Sequence, residues 1–510
     1  MQKVPFIVFG IFILLGLSDS VFLTWEHYTL TSIGCPISPW IKCLAVTSSK
    51  YSEIFGIPLA LLGSIYYVFL FFFLTKSKEK MFKHFFLITS SFGVLFSIYL
   101  IYVQAFAIGL FCLYCLISSV ISFLIFGLTF YFFGSEWKTL VVDSFGYSYG
   151  YIIKPILFLI DAEVVHTNMV KFAEMLPKSL LKLFKFIFVN NYTNLKQNIL
   201  GINFKTPIGL AAGFDYEARL TQTLPSIGFG FQTVGTITNM AYGGNPGPML
   251  GRLPKSKSLL VNKGFKNLGI VETLSRLVDK RFVYPVGISI GRTNSVTLNT
   301  IGKSINDIAT AFKIVKKSKL NNSFFELNIS CPNIIHDLGI NFYELTNLEK
   351  LLIAIDKVNP NKPVFIKMPI DQTDNHTISM LKLITRHKVK GVIFGNLQTN
   401  KKHRTLIQNE VNKYKMGKYS GKPTFEDSNR LIKLAYKNFK DRFIIIGCGG
   451  VFNAEDAWVK FTNGASLVQL ITGMIFEGPQ LIAQINRDLS YKLSKEGYKN
   501  IAEIVGINVN

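Results

Sequence analysis

Four of the six cysteines stand where thiol chemistry is feasible. Cys112 and Cys115 form a C-x-x-C in Phe-Cys-Leu-Tyr-Cys, at the expected start of a helix. The helix dipole there lowers a thiol pKa and makes a reactive thiolate more available. Cys35 and Cys43 lie in a loop upstream. Two such pairs on the oxidising side of a membrane can pass a disulfide between them by thiol exchange. The other reading of Cys112 and Cys115 is small core residues in a bundle. A metal site is disfavoured, because no histidine pair of ligand spacing lies nearby.

A second set of chemistry-bearing residues follows short apolar runs in the C-terminal part. Gly447-Cys448-Gly449-Gly450 and Thr472-Gly473 could free backbone N–H groups to cradle a phosphate, or could be tight turns. Asn328-Ile-Ser330-Cys331-Pro332-Asn333, Lys367 and Asn396 end other runs. Ser420-Gly421-Lys422-Pro423 comes later, and Asn262 lies in a Gly/Pro-rich excursion. Amides and an ammonium gathered in one place suit a planar ligand with carbonyls and a carboxylate; each alone could be a helix cap or a turn residue. A lysine beside a flavin would stabilise the anionic reduced ring.

These residues need elements to position them. The 510 residues are 49% hydrophobic and 14% aromatic, which excludes disorder, collagen and a small disulfide scaffold. Residues 1–135 hold 7 Lys, no Arg and 4 acids, leaving 48 basic and 27 acidic residues for 136–510. The later lysines are dispersed among Asn, Ile and Phe, so the basic excess points to a membrane surface and away from nucleic acid. Four stretches, 4–25, 57–75, 84–106 and 110–133, are apolar enough to cross a hydrocarbon core that takes about 20 residues. A cleaved signal peptide is the other reading of the first, but it lacks an Ala-x-Ala-like site. Lys76, Lys78, Lys80 and Lys83 crowd the loop between spans two and three, which predicts that this loop and both ends of the domain are cytoplasmic. The loop 26–56 and the turn near Gly109 then face outward, with all four cysteines.

From about residue 200 the chain alternates β-branched, apolar runs with helical stretches. The eight runs are Pro207–Ala211, Phe231–Thr236, Val286–Ile290, Phe324–Ile329, Val364–Lys367, Gly391–Phe394, Phe443–Ile446 and Ser466–Ile471. Eight βα units predict a (β/α)8 TIM barrel, an α/β fold with its site at the strand C-terminal ends and a phosphate after strands seven and eight. Between the two parts, Ile152–Ile160, Asp161–His166 and Leu176–Phe188 read as two amphipathic helices studded with Lys, suited to a membrane surface, or as a linker. The expected division is a four-helix membrane domain over 1–135, the linker and helical pair over 136–195, and the barrel over 196–510.

The first domain resembles a known family. Cys35 and Cys43, Ser48-Ser49, Phe55-Gly-Ile-Pro58-Leu-Ala-Leu-Leu-Gly63 and Cys112-Leu-Tyr-Cys115 together look like the bacterial vitamin K epoxide reductase family, over nearly all of 1–135. The resemblance implies a four-helix bundle around a quinone, with Cys112 and Cys115 beside the ring and Ser49 hydrogen-bonded to it. It further implies that Cys35 and Cys43 exchange electrons with an external thioredoxin-like protein. Such a domain is often fused in bacterial relatives and is not visible here, so the thiol donor would act in trans. A loop cap is the other reading of Ser49.

The second part resembles the dihydroorotate dehydrogenases of the quinone-dependent class, over about 155–505. The carriers are Gly209-Leu-Ala-Ala-Gly213-Phe-Asp215, Gly235-Thr-Ile-Thr, Gly244-Asn245-Pro-Gly-Pro, Arg252-Leu-Pro, Asn262-Lys-Gly-Phe265, Asn328–Asn333 and Gly464-Ala-Ser-Leu-Val-Gln-Leu. The resemblance implies FMN on the barrel top, held by Ala211, Ala212, Gly213, Thr236, Lys367, Ser420, Gly421, Gly449, Gly450, Thr472 and Gly473. Dihydroorotate would stack on it, held by Asn262, Phe265, Asn328, Asn333 and Asn396, with Cys331 as the base. His166 and Arg252 match residues of a quinone tunnel. Four positions depart from the class pattern. Cys331 stands for Ser, as in the soluble class that reduces fumarate or feeds NAD, and Tyr216 stands for Lys, Ile471 for Tyr and Leu397 for Thr.

The resulting expectation is a multi-pass protein of the cell (inner) membrane with its barrel cytoplasmic and its cysteine loop outside. The barrel would oxidise dihydroorotate to orotate with FMN and a quinone, menaquinone or ubiquinone, for pyrimidine synthesis, and the bundle would oxidise thiols and reduce the same quinone pool. A hydrocarbon core of ~30 Å makes a shared mobile quinone, not direct transfer, the link between them. A thiol near pKa 8.5 would make Cys331 a better base than a serine at neutral pH. The competing readings are an inert membrane anchor for the first domain, and a barrel that uses fumarate or another substrate.

Overall fold

The computed structural model describes residues 3–31, 35, 38–76, 80–133, 137–336 and 339–509; Lys78 lies outside them. The chain forms two compact units, Met1–Phe145 and Gly146–Asn510.

The first unit is a bundle of α1 (Lys3–Thr29), α2 (Leu59–Thr75), α3 (Lys80–Tyr102) and α4 (Leu113–Phe133). Their surfaces stay apolar: Ile11, Leu14, Val21, Phe69, Phe72, Phe92 and Leu95 are all exposed. A helix apolar on every side is stable only in a deep core or a bilayer. Phe6–Thr29 and His84–Ile108 meet the length and apolarity of a membrane span, whereas Leu59–Thr75 and Leu113–Thr129 are shorter apolar helices. The inward seam packs Phe9, Ile13, Tyr67, Leu70, Leu74, Phe86, Ile121 and Ile125. Gly16 permits a close approach, since a Cβ there would lie 2.3 Å from the Tyr67 ring.

In the second unit eight parallel strands close a barrel in chain order. They are β1 (Ile208–Leu210), β2 (Phe231–Ile237), β3 (Val286–Ile290), β4 (Phe324–Asn328), β5 (Val364–Lys367), β6 (Gly391–Phe394), β7 (Ile444–Cys448) and β8 (Leu467–Leu470). All eight expected runs are barrel strands. The largest difference is at β7, which starts one residue later and continues through Gly447 and Cys448, because these pair with Phe394 of β6 and Gln469 of β8. Strands buried on both faces read as continuous apolar runs, which is why the pattern is so plain.

The segment before the barrel has three helical pieces where two are expected: a short helix Lys154–Leu159, then α5 (Ala162–Glu174) and α6 (Lys178–Phe188). Asp161 makes the first break, because its carboxylate accepts from the Glu163 and Val164 N–H groups and starts a new helix. Pro177 occupies the N-cap of α6. Val164, Met169, Phe172, Leu183 and Phe186 are exposed along this pair. Beside the strand C-terminal ends lies a three-stranded antiparallel sheet of Leu250–Leu253, Ser258–Val261 and Lys418–Gly421. It carries Arg252, Ser420 and Gly421, and Asn262 follows its middle strand.

Candidate active sites

The barrel-top residues are joined by one chain of hydrogen bonds. Asn328, ending β4, donates to Thr236 Oγ1 at 2.8 Å, and Thr236 Oγ1 lies 2.9 Å from Ser289 Oγ. Ser289 Oγ donates to Glu326 Oε1 at 2.7 Å, which is 4.0 Å from Lys367 Nζ. In the other direction Ser330 donates to Asn328 Oδ1 through N–H and Oγ, and Asn396 Nδ2 donates to Ser330 Oγ at 2.6 Å. Burial pulls Lys367 down, but the opposing charge around it, led by the Glu326 carboxylate, more than offsets this. The net shift is upward, so the ammonium stays charged.

Asn262 and Asn333 belong to a neighbouring cluster. Asn245 Nδ2 donates to Asn262 Oδ1 at 3.0 Å and to the Asn333 carbonyl at 2.8 Å. Asn262 donates to the Pro246 carbonyl and Asn333 to that of Val261. Cys331 lies on the turn joining the two clusters, and here the expectation of an ordinary thiol is corrected. Burial pushes it up to about 12, against the opposing pull of the Asn333 N–H and the Lys367 ammonium.

At the far rim, Ser420 Oγ and Thr472 Oγ1 are 2.8 Å apart. Gly421 has φ +82°, and a Cβ there would meet the Lys257 carbonyl at 2.5 Å, so no larger residue fits. Gly449 and Gly450, after β7, also have positive φ. Ala211, Ala212 and Gly213 follow β1, and the Gly213 N–H donates to the Gly235 carbonyl at 2.6 Å. Hydroxyls, glycine turns, small residues and a buried ammonium in this order fit an elongated planar ligand with a phosphate at one end.

His166 of α5 donates through Nε2 to the Phe214 carbonyl at 3.0 Å and stacks on Tyr216. Burial and the Lys263 ammonium push it down to about 4. Arg252 donates to the Ile160 carbonyl and lies 4.7 Å over the Phe158 ring, so it fastens the segment ahead of α5, whereas His166 fastens α5 itself. Sequence reasoning left Ser289, Glu326, Glu163 and Lys263 out of the site. The one available signal was Glu326, an acid within the apolar run Phe-Phe-Glu-Leu-Asn.

In the helical unit, a cavity of about 650 Å³ is lined by Ser49, Tyr51, His27, Tyr66, Phe96 and Cys115 among others. Cys35 and Cys43 form a disulfide, whereas Cys112 and Cys115 are free thiols. The loop is fastened beside the C-x-x-C, since the Lys42 N–H donates to the Phe111 carbonyl at 2.9 Å and the Phe111 N–H to that of Trp40 at 2.8 Å. Cys43 and Cys112 consequently share one buried cluster with Leu23 and Val46. The Cys115 N–H donates to Cys112 Sγ at 3.3 Å, and the Cys112 N–H to Gln104 Oε1 at 2.8 Å. Ser49 Oγ donates to the Val46 carbonyl at 2.8 Å, a local cap on a residue that also lines the cavity.

Comparison with known proteins separates the same two parts. Residues 194–493 match the family model "Dihydroorotate dehydrogenase", and residues 7–130 match "Vitamin K epoxide reductase family". A dihydroorotate dehydrogenase (quinone) of Trichodesmium erythraeum is 33% identical over 380 residues, 70% of this chain and 98% of that protein. One of Christiangramia forsetii is 35% identical over 353 residues, 68% and 99% respectively. A crystal structure of DHODH from Eimeria tenella in complex with ferulenol shares the barrel fold at a TM-score of 0.60 and 24% identity, covering 68% of this chain and 96% of that one. The chain therefore belongs to the dihydroorotate dehydrogenase family, and carries ahead of its barrel an apolar helical region that matches the vitamin K epoxide reductase family model.

Proposed function

We propose that the barrel oxidises dihydroorotate to orotate and passes the electrons to a membrane quinone, and that the bundle oxidises thiols and reduces quinone from the same pool. The observation that carries the first part is the position of Cys331 between the Asn328–Ser330–Asn396 chain and the Asn245–Asn262–Asn333 cluster, with the Lys367 ammonium alongside. Asn262, Asn328, Asn333 and Asn396 offer amides to the carbonyls and ring N–H groups of the substrate. Phe265 closes over it. Cys331 Sγ takes the C5 proton and Lys367 holds positive charge beside the cofactor ring. FMN held on these residues would supply the two-electron redox chemistry that joins loss of hydride from C6 to reduction of quinone. The phosphate end would rest on Ser420, Gly421, Gly449, Gly450, Thr472 and Gly473, and the ring on Ala211, Ala212, Gly213 and Thr236. His166 and Arg252 would flank the quinone.

The bundle reading is supported by the cavity that Cys115 and Ser49 both line. A partner dithiol, of a thioredoxin-like protein outside the membrane, reduces the Cys35–Cys43 disulfide. Those thiols reduce a Cys112–Cys115 disulfide, and the two electrons and two protons of the regenerated pair convert quinone to quinol. Sidedness follows from the loop lysines: four helices cross the cell membrane, the disulfide loop faces outward and the barrel is cytoplasmic. The test is anaerobic reduction of the purified protein's flavin by dihydroorotate, then reoxidation with quinone or fumarate. Reduction followed by quinone reoxidation is expected. Reoxidation by fumarate alone would reassign the acceptor, and no reduction would overturn the substrate.

A further inference from the structure

One half-buried ionic cluster takes no part in the chemistry above. Glu163, on α5 one turn before His166, lies 2.9 Å from the Lys263 ammonium and 3.1 Å from that of Lys266. Lys263 is buried; its Nζ sits 4.6 Å over the Tyr216 ring and donates to Tyr216 Oη at 3.3 Å. The His166 ring stacks on the same tyrosine at 5.6 Å. One carboxylate on the helix that carries His166 therefore grips two lysines that flank the substrate contacts, Lys263 beside Asn262 and Lys266 beside Phe265.

The loop between those lysines needs such a grip. Phe265 has φ +65°, a region that bulky residues rarely adopt and that persists only where the surroundings enforce it. Asn267 Nδ2 donates to the Phe265 carbonyl at 2.7 Å and Asn294 Nδ2 to that of Gly264 at 3.2 Å, fixing the backbone from the barrel side. Glu163 fixes it from the α5 side. The Phe265 ring is packed so close to Gly291 that a Cβ there would come within 2.7 Å of it. Displacing the loop would thus move Asn262 and Phe265 together.

We propose that Glu163 is a positioning residue that couples the two substrate sites of the barrel, holding the Asn262–Phe265 loop in its dihydroorotate-binding form from the helix that bears the quinone-site residue His166. The inference rests on the proposed reading of the barrel. Linkage makes the effect reciprocal: a quinone that orders α5 tightens orotate binding, and orotate tightens quinone binding by the same factor.

The experiment uses the full-length, flavin-loaded protein and its Glu163→Gln variant. In anaerobic flavin reduction, Glu163→Gln is expected to raise the half-saturating dihydroorotate concentration about tenfold, the effect of one lost charge-assisted hydrogen bond, while the limiting rate moves less than about threefold. Orotate titrated against the oxidised flavin with and without decylubiquinone should show a quinone-dependent affinity in the wild type that disappears in the variant. An unchanged half-saturation, a fall confined to the limiting rate, or a quinone effect that survives in Glu163→Gln would each overturn the proposal. If that variant loses its flavin, Lys266→Met, which removes one arm of the grip, takes its place in both measurements, and the same outcomes support or overturn the coupling. Failure of dihydroorotate to reduce the wild-type flavin would sink the barrel reading, whereas normal wild-type reduction matched by Glu163→Gln sinks only the coupling.

Discussion

The bundle and the barrel are assigned the same final acceptor, yet they concentrate their chemistry differently. In the bundle the proposed chemistry resides in four sulfur atoms from two short stretches, brought together by backbone hydrogen bonds between Trp40, Lys42 and Phe111, beside a cavity lined by both apolar and hydroxyl-bearing side chains. In the barrel no single atom dominates. Residues from β2, β3 and β4 and from the turns after β4 and β6 form one hydrogen-bonded chain from Glu326 to Asn396, with the Lys367 ammonium of β5 4.0 Å from Glu326, and each member orients the next. A site of the first kind fails at a single substitution. One of the second kind degrades by steps, because neighbouring groups keep part of the geometry.

The sharpest test of that contrast is Cys115→Ala, with the largest effect expected. It removes the sulfur on the cavity wall, so dithiol-driven quinone reduction should vanish while dihydroorotate oxidation by the same protein stays within about twofold. Measuring both activities on one preparation provides its own control for folding. Retained thiol-driven activity in Cys115→Ala would make the bundle an anchor for the barrel and end the comparison.

The same contrast governs how much could be read from the sequence. Eight strands were legible because parallel strands buried on both faces are unbroken apolar runs, and the polar residues that end them fall at the barrel top by construction. The cysteine pairs were legible from spacing. The pairing among the amides was not, since Asn245 reaches Asn333 and Asn328 reaches Thr236 across 88 and 92 residues of chain. Glu163 and Lys263 meet across 100 residues, which no local pattern announces. The Cys331 thiol was misjudged because its pKa is set by burial, and burial is a property of the closed barrel top. Near α5, the run Ile152–His166 looked continuous because a single capping carboxylate, Asp161, decides where one helix stops and the next begins.

The intermediate effect is expected at Cys331. If its Sγ takes the C5 proton, Cys331→Ala should slow flavin reduction by about 10²–10⁴, the usual worth of a general base, with flavin content and orotate binding retained. The pH profile carries the second half of the test. A thiol raised to about 12 is almost wholly protonated at neutral pH, and its thiolate fraction grows tenfold per unit below that value. The rate of flavin reduction at saturating dihydroorotate should therefore climb steadily from pH 7 to 10 without a plateau, and the slope should disappear in Cys331→Ala. A plateau near pH 8.5 in the wild type would mean that substrate binding restores an ordinary thiol. Full activity in Cys331→Ala would reduce this cysteine to packing and leave the barrel without its base.

The smallest effect separates the units by stability. His166 is held neutral, with its folded pKa about 4 against about 6.5 in an unfolded chain. The sign follows from proton binding: between those values the unfolded state takes up a proton that the folded state refuses, so stability is full above about pH 6.5 and is lost as pH falls toward 4. At pH 5 the loss is about 2 kcal/mol, enough to lower the barrel's melting temperature by several degrees relative to pH 7.5. His166→Gln cannot titrate and should remove most of that acid sensitivity, even if it costs stability at neutral pH by giving up the stack on Tyr216. Melting of the barrel is followed by release of flavin fluorescence at the two pH values, in wild type and variant. An equal acid shift in both would place the sensitivity elsewhere and show that the α5 contact at Phe214 opens before the histidine titrates.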